Sequence, residues 1–149
     1  MSRLATVFAA FSFVLVPAQT VRADEHEMHY AAHFMACAKA CVECQLYCDS
    51  CFKHCLTMLT DGKKEHAKTV QSCVDCADHC KLAASLSARM SPYAKFACDG
   101  CAKTCDECAA ACEKFPDDKH MAACAKSCRD CAKACREMVK HVSAEKPAK

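Results

Sequence analysis

The chain has 149 residues, the size of one domain, and a formal net charge of +2. Eighteen residues are cysteine, while only two are glycine and four are proline. That composition excludes the turn-rich build of a disulfide mini-protein, although the cysteine share exceeds that of such scaffolds. Trp is absent and aromatics are 7% of the chain, so large apolar side chains alone cannot fill an interior.

Residues 1–23 read as an export signal. Arg3 supplies a positive start, Leu4 to Val16 is an apolar run, and Val21-Arg22-Ala23 offers small residues for cleavage after Ala23. The run is shorter than the roughly 20 residues a spanning helix needs. No Arg pair precedes it, which favours the general secretory route and a periplasmic destination. Removal of Arg3 and Arg22 leaves the mature domain, residues 24–149, formally neutral. Neutrality provides no electrostatic attraction to nucleic acid or to an anionic membrane.

Turn signals then divide the chain. Asp61-Gly62-Lys63-Lys64 separates two apolar runs, Ser91-Pro92 opens a helix, and Phe115-Pro116-Asp117-Asp118 closes one segment and caps the next. Helices are predicted near residues 30–60, 64–89, 92–115 and 118–142, with a fraying polar tail from Ser143. Connections this short make neighbours antiparallel, so the predicted fold is all-α, an up-down-up-down four-helix bundle.

The cysteines follow one rule along each helix. Cys37, Cys41, Cys44, Cys48, Cys51 and Cys55 fall on the first, and Cys73, Cys76 and Cys80 on the second. Cys98, Cys101, Cys105, Cys108 and Cys112 fall on the third, and Cys124, Cys128, Cys131 and Cys135 on the fourth. The steps alternate between three and four, the seam spacing of a helix packed in a bundle. Every thiol therefore faces the other helices and the core is lined with cysteine. Met58, Phe115, Met121 and Met138 continue the stripes by steps of three, and Ala83, Ser87 and Met90 extend the second. The spacing of residues 41–55 is repeated at residues 98–112.

A lone buried cysteine behaves as a small hydrophobe. Eighteen on the core stripes exceed that role, because leucine would fill the space better. A disulfide scaffold is the next reading, compatible with export. Residues three or four apart on one helix hold their Cβ atoms about 5–6 Å apart, too far for a bridge, so bridges would run between helices. The remaining reading is metal. Thiolates beside thioethers select soft ions, Cu(I) above all, while thiolates alone also suit zinc and iron–sulfur clusters. Zinc takes a closed tetrahedron of four. Cu(I) accepts two or three ligands, and thiolates bridge it, so a continuous stripe suits many Cu(I) ions per chain. The C-x-x-C pairs also resemble thiol redox motifs, but no strand pattern accompanies them, and no nucleophile, acid–base pair or phosphate loop points to an enzyme.

The chain resembles the bacterial copper storage proteins. The resemblance covers about residues 37–138 and is carried by the stretches 48–59, 108–116 and 124–135. It implies Cu(I) storage inside the bundle and a homotetramer of bundles. It also implies ion uptake at one bundle end, near His54 and Met58, with His66 where the family often has Met. Met121 lies at that same end in antiparallel order, and thioether and neutral imidazole are weaker Cu(I) ligands that can pass an ion inward. A second His/Met group, His26, Met28, His29, His33 and Met35, belongs at the opposite end with Met90, Met138 and His141. It reads either as a further copper site or as a solvated arm.

Overall fold

The computed structural model describes the backbone of residues 18–144 and the side chains of residues 28–143. The apolar run Leu4 to Val16, the tail beyond Ala144 and the side chain of His26 lie outside the described residues. Four helices form as predicted: α1 Ala18–Thr60, α2 Ala67–Ala88, α3 Ala94–Cys112 and α4 Lys119–Ala144. α1 packs on α2 and α4, and α3 packs on the same two, so the helices stand at the corners of a square in chain order. The diagonal pairs meet only through side chains at the axis. Among the described residues no helix is long and apolar enough to cross a membrane.

The helix ends explain where the predicted bounds shift. No Gly or Pro interrupts residues 18–60, and α1 runs back through Ala23 to Ala18. It closes where Gly62 takes the left-handed conformation (φ +85°). There the Gly62 N–H donates to the Leu59 carbonyl at 3.0 Å and the Lys63 N–H to the Met58 carbonyl at 3.0 Å. A tight turn at Lys64–His66 follows and delays α2 to Ala67. α2 ends by the same motif, with Met90 in the glycine position (φ +48°) and the Ser91 N–H on the Leu86 carbonyl at 2.9 Å. Met90 therefore leaves the stripe it was expected to extend, and it is 48% exposed. α3 begins at Ala94 rather than Pro92, because the Ala94 N–H first closes on the Ser91 carbonyl at 2.9 Å in a four-residue turn. Asp118 caps α4, its Oδ1 accepting from the His120 and Met121 N–H groups at 2.9 and 3.2 Å.

Small residues let the four helices approach. Ala77, Ala83, Ala94, Ala109 and Ala132 are buried beside the thiols, and the large apolar side chains sealed in among the described residues, Phe34, Met121 and Met138, lie at the ends. Outside, Arg129 bonds Glu113 through two nitrogens at 3.0 and 2.8 Å and Asp106 at 3.0 Å, and Arg136 bonds Asp106 as well. These exposed pairs add little stability, and they tie the register of α4 to α3.

Candidate metal centre

All 18 cysteines are buried, none more than 1% exposed, and all are free thiols. The alternating three-and-four spacing of each helix puts every Sγ on the bundle axis, as predicted. Sulfur neighbours within 4.8 Å then form an unbroken path from one end to the other. Cys37 meets Cys98 at 3.5 Å and Cys135 at 3.7 Å. Cys41 meets Cys135 and Cys131 at 3.6 Å each. Cys80 reaches Cys101 at 3.6 Å and Cys131 at 3.9 Å, and Cys76 reaches Cys105 at 3.5 Å. Cys44 crosses the axis to Cys105 at 3.9 Å and also touches Cys128 at 3.7 Å. Cys73 meets Cys108 at 3.8 Å, Cys48 meets Cys128 at 3.7 Å, and Cys51 meets Cys112 at 3.9 Å and Cys55 at 4.0 Å.

Sets of four sulfurs lie within 4.8 Å of one another. One is Cys41, Cys101, Cys131 and Cys135; another is Cys44, Cys76, Cys80 and Cys105. Cys44, Cys48, Cys76 and Cys128 form a third, and Cys48, Cys108, Cys124 and Cys128 a fourth. Cys51, Cys73, Cys112 and Cys124 form a fifth. Cys44, Cys48, Cys76, Cys124 and Cys128 each belong to two of these sets, so the second to fifth share corners, and Cys80, which touches Cys101 and Cys131, joins the first to them in one network.

Crowding couples the protons. A thiolate in this core survives only where neighbouring S–H groups donate to it. Hydrogen bonding with Cys105 and Cys128 holds the Cys44 thiol down. Cys108 and Cys124 push Cys48, one turn along, up. For Cys98 the pull of Cys135 is outweighed by Cys37 and burial, which push it up to about 12. Neighbours thus alternate in direction along each helix, and the core cannot ionise throughout without cations among the sulfurs.

The Asp61-Gly62 end gathers the four non-cysteine candidates, in different roles. Met121 is fully buried, its Sδ accepting from Cys51 and Cys55 at 3.5 Å each. Met58 is half-buried at the mouth, with Lys63 Nζ 3.4 Å from its sulfur. His66 is 4% exposed, stacked on Phe115 at 4.1 Å, and its Nδ1 has no hydrogen-bond partner. His54 Nε2 is held by Asp118 Oδ2 at 2.7 Å, and its ring stacks on His120 at 4.7 Å. Asp118 and His120 were not singled out from sequence. Asp118 was legible only as a cap, because its place beside His54 depends on how α4 packs on α1.

The opposite end is closed by Phe34 and Met138. Ser87 is fully buried there, its Oγ 3.5 Å from Cys98 and 3.8 Å from Cys37. Outside this seal, His33 and His141 stack at 3.4 Å, and His29 lies 4.6 Å from His33 and 6.1 Å from His141. Desolvation, then the neighbouring imidazoles of His141 and His29, hold His33 below the usual histidine range against the opposing pull of Glu137.

Comparisons with known proteins agree with this geometry. Residues 30–140 match the family described as Csp, copper storage protein. The uncharacterized cysteine-rich protein YhjQ of Bacillus subtilis (strain 168) is 37% identical over 87 residues, which are 56% of this chain and 75% of that one. The Cu(I)-bound copper storage protein BsCsp3 is 36% identical with a TM-score of 0.66, over 72% of this chain and 98% of that one. A cytosolic copper storage protein from Streptomyces lividans, with five coppers, is 27% identical with a TM-score of 0.68, over 74% of this chain and 95% of that one. The match spans all four helices, and the chain belongs to the copper storage protein family.

Proposed function

We propose that this chain stores copper as many Cu(I) ions on the thiolates of its 18 core cysteines. The observation that carries the reading is the sharing of corners between sulfur sets. Each ion takes two or three thiolates and each thiolate bridges neighbouring ions, so the network loads as a whole at about one ion per cysteine. Binding exchanges a thiol proton for Cu⁺, which leaves the filled core neutral and avoids burying net charge. Zinc fits the same sulfurs less well. Zn²⁺ on four thiolates leaves a buried charge of about −2 per site, and sets with common corners cannot all be closed tetrahedra.

Ions reach the core at the Asp61-Gly62 end. The free Nδ1 of His66 and the sulfur of Met58 line the mouth, and Met121 stands between them and Cys51 and Cys55. Thioethers do not form disulfides, so such a mouth works in an oxidising compartment. Export to the periplasm, with residues 1–23 removed and residues 24–149 as the working domain, is supported by Arg3, the apolar run and the small residues before Asp24. Assembly as a homotetramer is supported by the exposed apolar side chains Val42, Leu46 and Leu82 along α1 and α2.

An anaerobic Cu(I) titration against a competing chelator, with zinc as control, tests the storage reading. It requires an endpoint near 18 Cu(I) per chain, one for each cysteine. An endpoint near four, with zinc bound equally well, rejects it.

A further inference from the structure

We infer that His29, His33 and His141 form a second metal site, for a divalent first-row cation and Cu(II) foremost, outside the thiol core at the end opposite the mouth. His29 and His33 are one turn apart on α1, and α4 brings His141 against them from the antiparallel direction. Their ring centroids lie 3.4, 4.6 and 6.1 Å apart. Two imidazoles on one ion, with metal–nitrogen distances of about 2.0–2.1 Å, hold their centroids roughly 4.5–6 Å apart. His33 and His141 therefore need to open by about 1–2 Å, while His29 is already in range. His33 Nε2 is buried without a hydrogen-bond partner, an uncompensated polar atom that a metal would satisfy. A groove of about 320 Å³ lined by His33, Ala36, Glu137 and Met138 gives access and adds a carboxylate beside the imidazoles.

The donor set separates this site from the core. Imidazole nitrogen is a borderline ligand, and a nitrogen site orders divalent ions with Cu(II) at the top. The core offers soft sulfur from its 18 thiols and Met121. Cys37 also reaches the groove, but it is 1% exposed behind Phe34 and Met138, whereas His29 is exposed and His33 and His141 are partly so. The site stands on residues that the storage reading does not use.

The test takes full-length protein filled with Cu(I), so that no free thiol can reduce the probe, and adds Cu(II) under anaerobic conditions. Electron paramagnetic resonance counts only Cu(II), while total copper on the same samples reports core filling separately. The expected result is one Cu(II) per chain with nitrogen hyperfine splitting. That signal is lost in a His33→Ala, His141→Ala variant whose Cu(I) content and circular dichroism are unchanged. The exposed single variant His29→Ala weakens Cu(II) binding at least tenfold and simplifies the splitting. Absence of a nitrogen-split signal in the unaltered protein overturns the site. So does its survival at full strength in the double variant, or its loss in a His54→Ala, His66→Ala, His120→Ala variant instead.

Discussion

The Sδ of Met121 lies 3.5 Å from the Sγ of Cys55, the last thiol of α1, and both side chains are fully buried. The thioether is thus inside the sulfur network rather than at its rim. A Met58→Leu, His66→Ala, Met121→Leu variant keeps all 18 thiols. Stopped-flow measurement should give slower Cu(I) loading with nearly the same final capacity. An unchanged loading rate would move uptake to another part of the bundle.

The metal-free reduced protein should already be fully helical. Protonated thiols pack as small apolar groups, and the helix ends are closed by Gly62, Met90 and Asp118. Circular dichroism should change little on adding Cu(I). A large gain in helicity would instead mean folding driven by the metal.

Asp118→Ala should destabilise the metal-free protein by about 1–2 kcal/mol. It removes the cap on the His120 and Met121 N–H groups and the partner of His54 Nε2. Asp118→Asn keeps a cap and should recover most of the loss, as read by urea denaturation.

Met90→Gly should stabilise by about 1 kcal/mol, because Met90 holds a left-handed conformation that glycine adopts without steric conflict. Its side chain is largely exposed, so little packing is lost. The readout is the thermal midpoint of the reduced protein.

Alkali should weaken the metal-free protein. Cys98 is pushed up to about 12, against about 8.5 for an unfolded thiol. Between those values the unfolded chain has released a proton that the folded chain retains, so stability falls as pH rises. Cys131 is pushed up by Cys101 but pulled down further, to about 7, by Cys105, Cys135 and Cys41. Its gain is complete by about pH 8.5 and adds no slope above it. The urea midpoint under anaerobic conditions should therefore be lower at about pH 10.5 than at about pH 8.5, and Cu(I) loading should abolish the difference.

Much of this molecule is written in spacing. Steps of three and four place each cysteine on one helical face, and the turn signals at Gly62, Ser91-Pro92 and Asp118 make four antiparallel helices. A thiol-lined four-helix bundle follows, because a period fixes which face is buried whatever its partners. The period does not say which residues meet. Cys44 crossing the axis to Cys105 depends on the axial offset of α1 and α3. The capture of His54 by Asp118, and the meeting of His33 with His141, depend equally on how α4 sits against α1. Ser87 stays in the core while Met90 leaves it, because the backbone turns left-handed at Met90 before another helical turn is complete. Rotation and offset between helices are set by many packed side chains at once, and only the tertiary structure decides them.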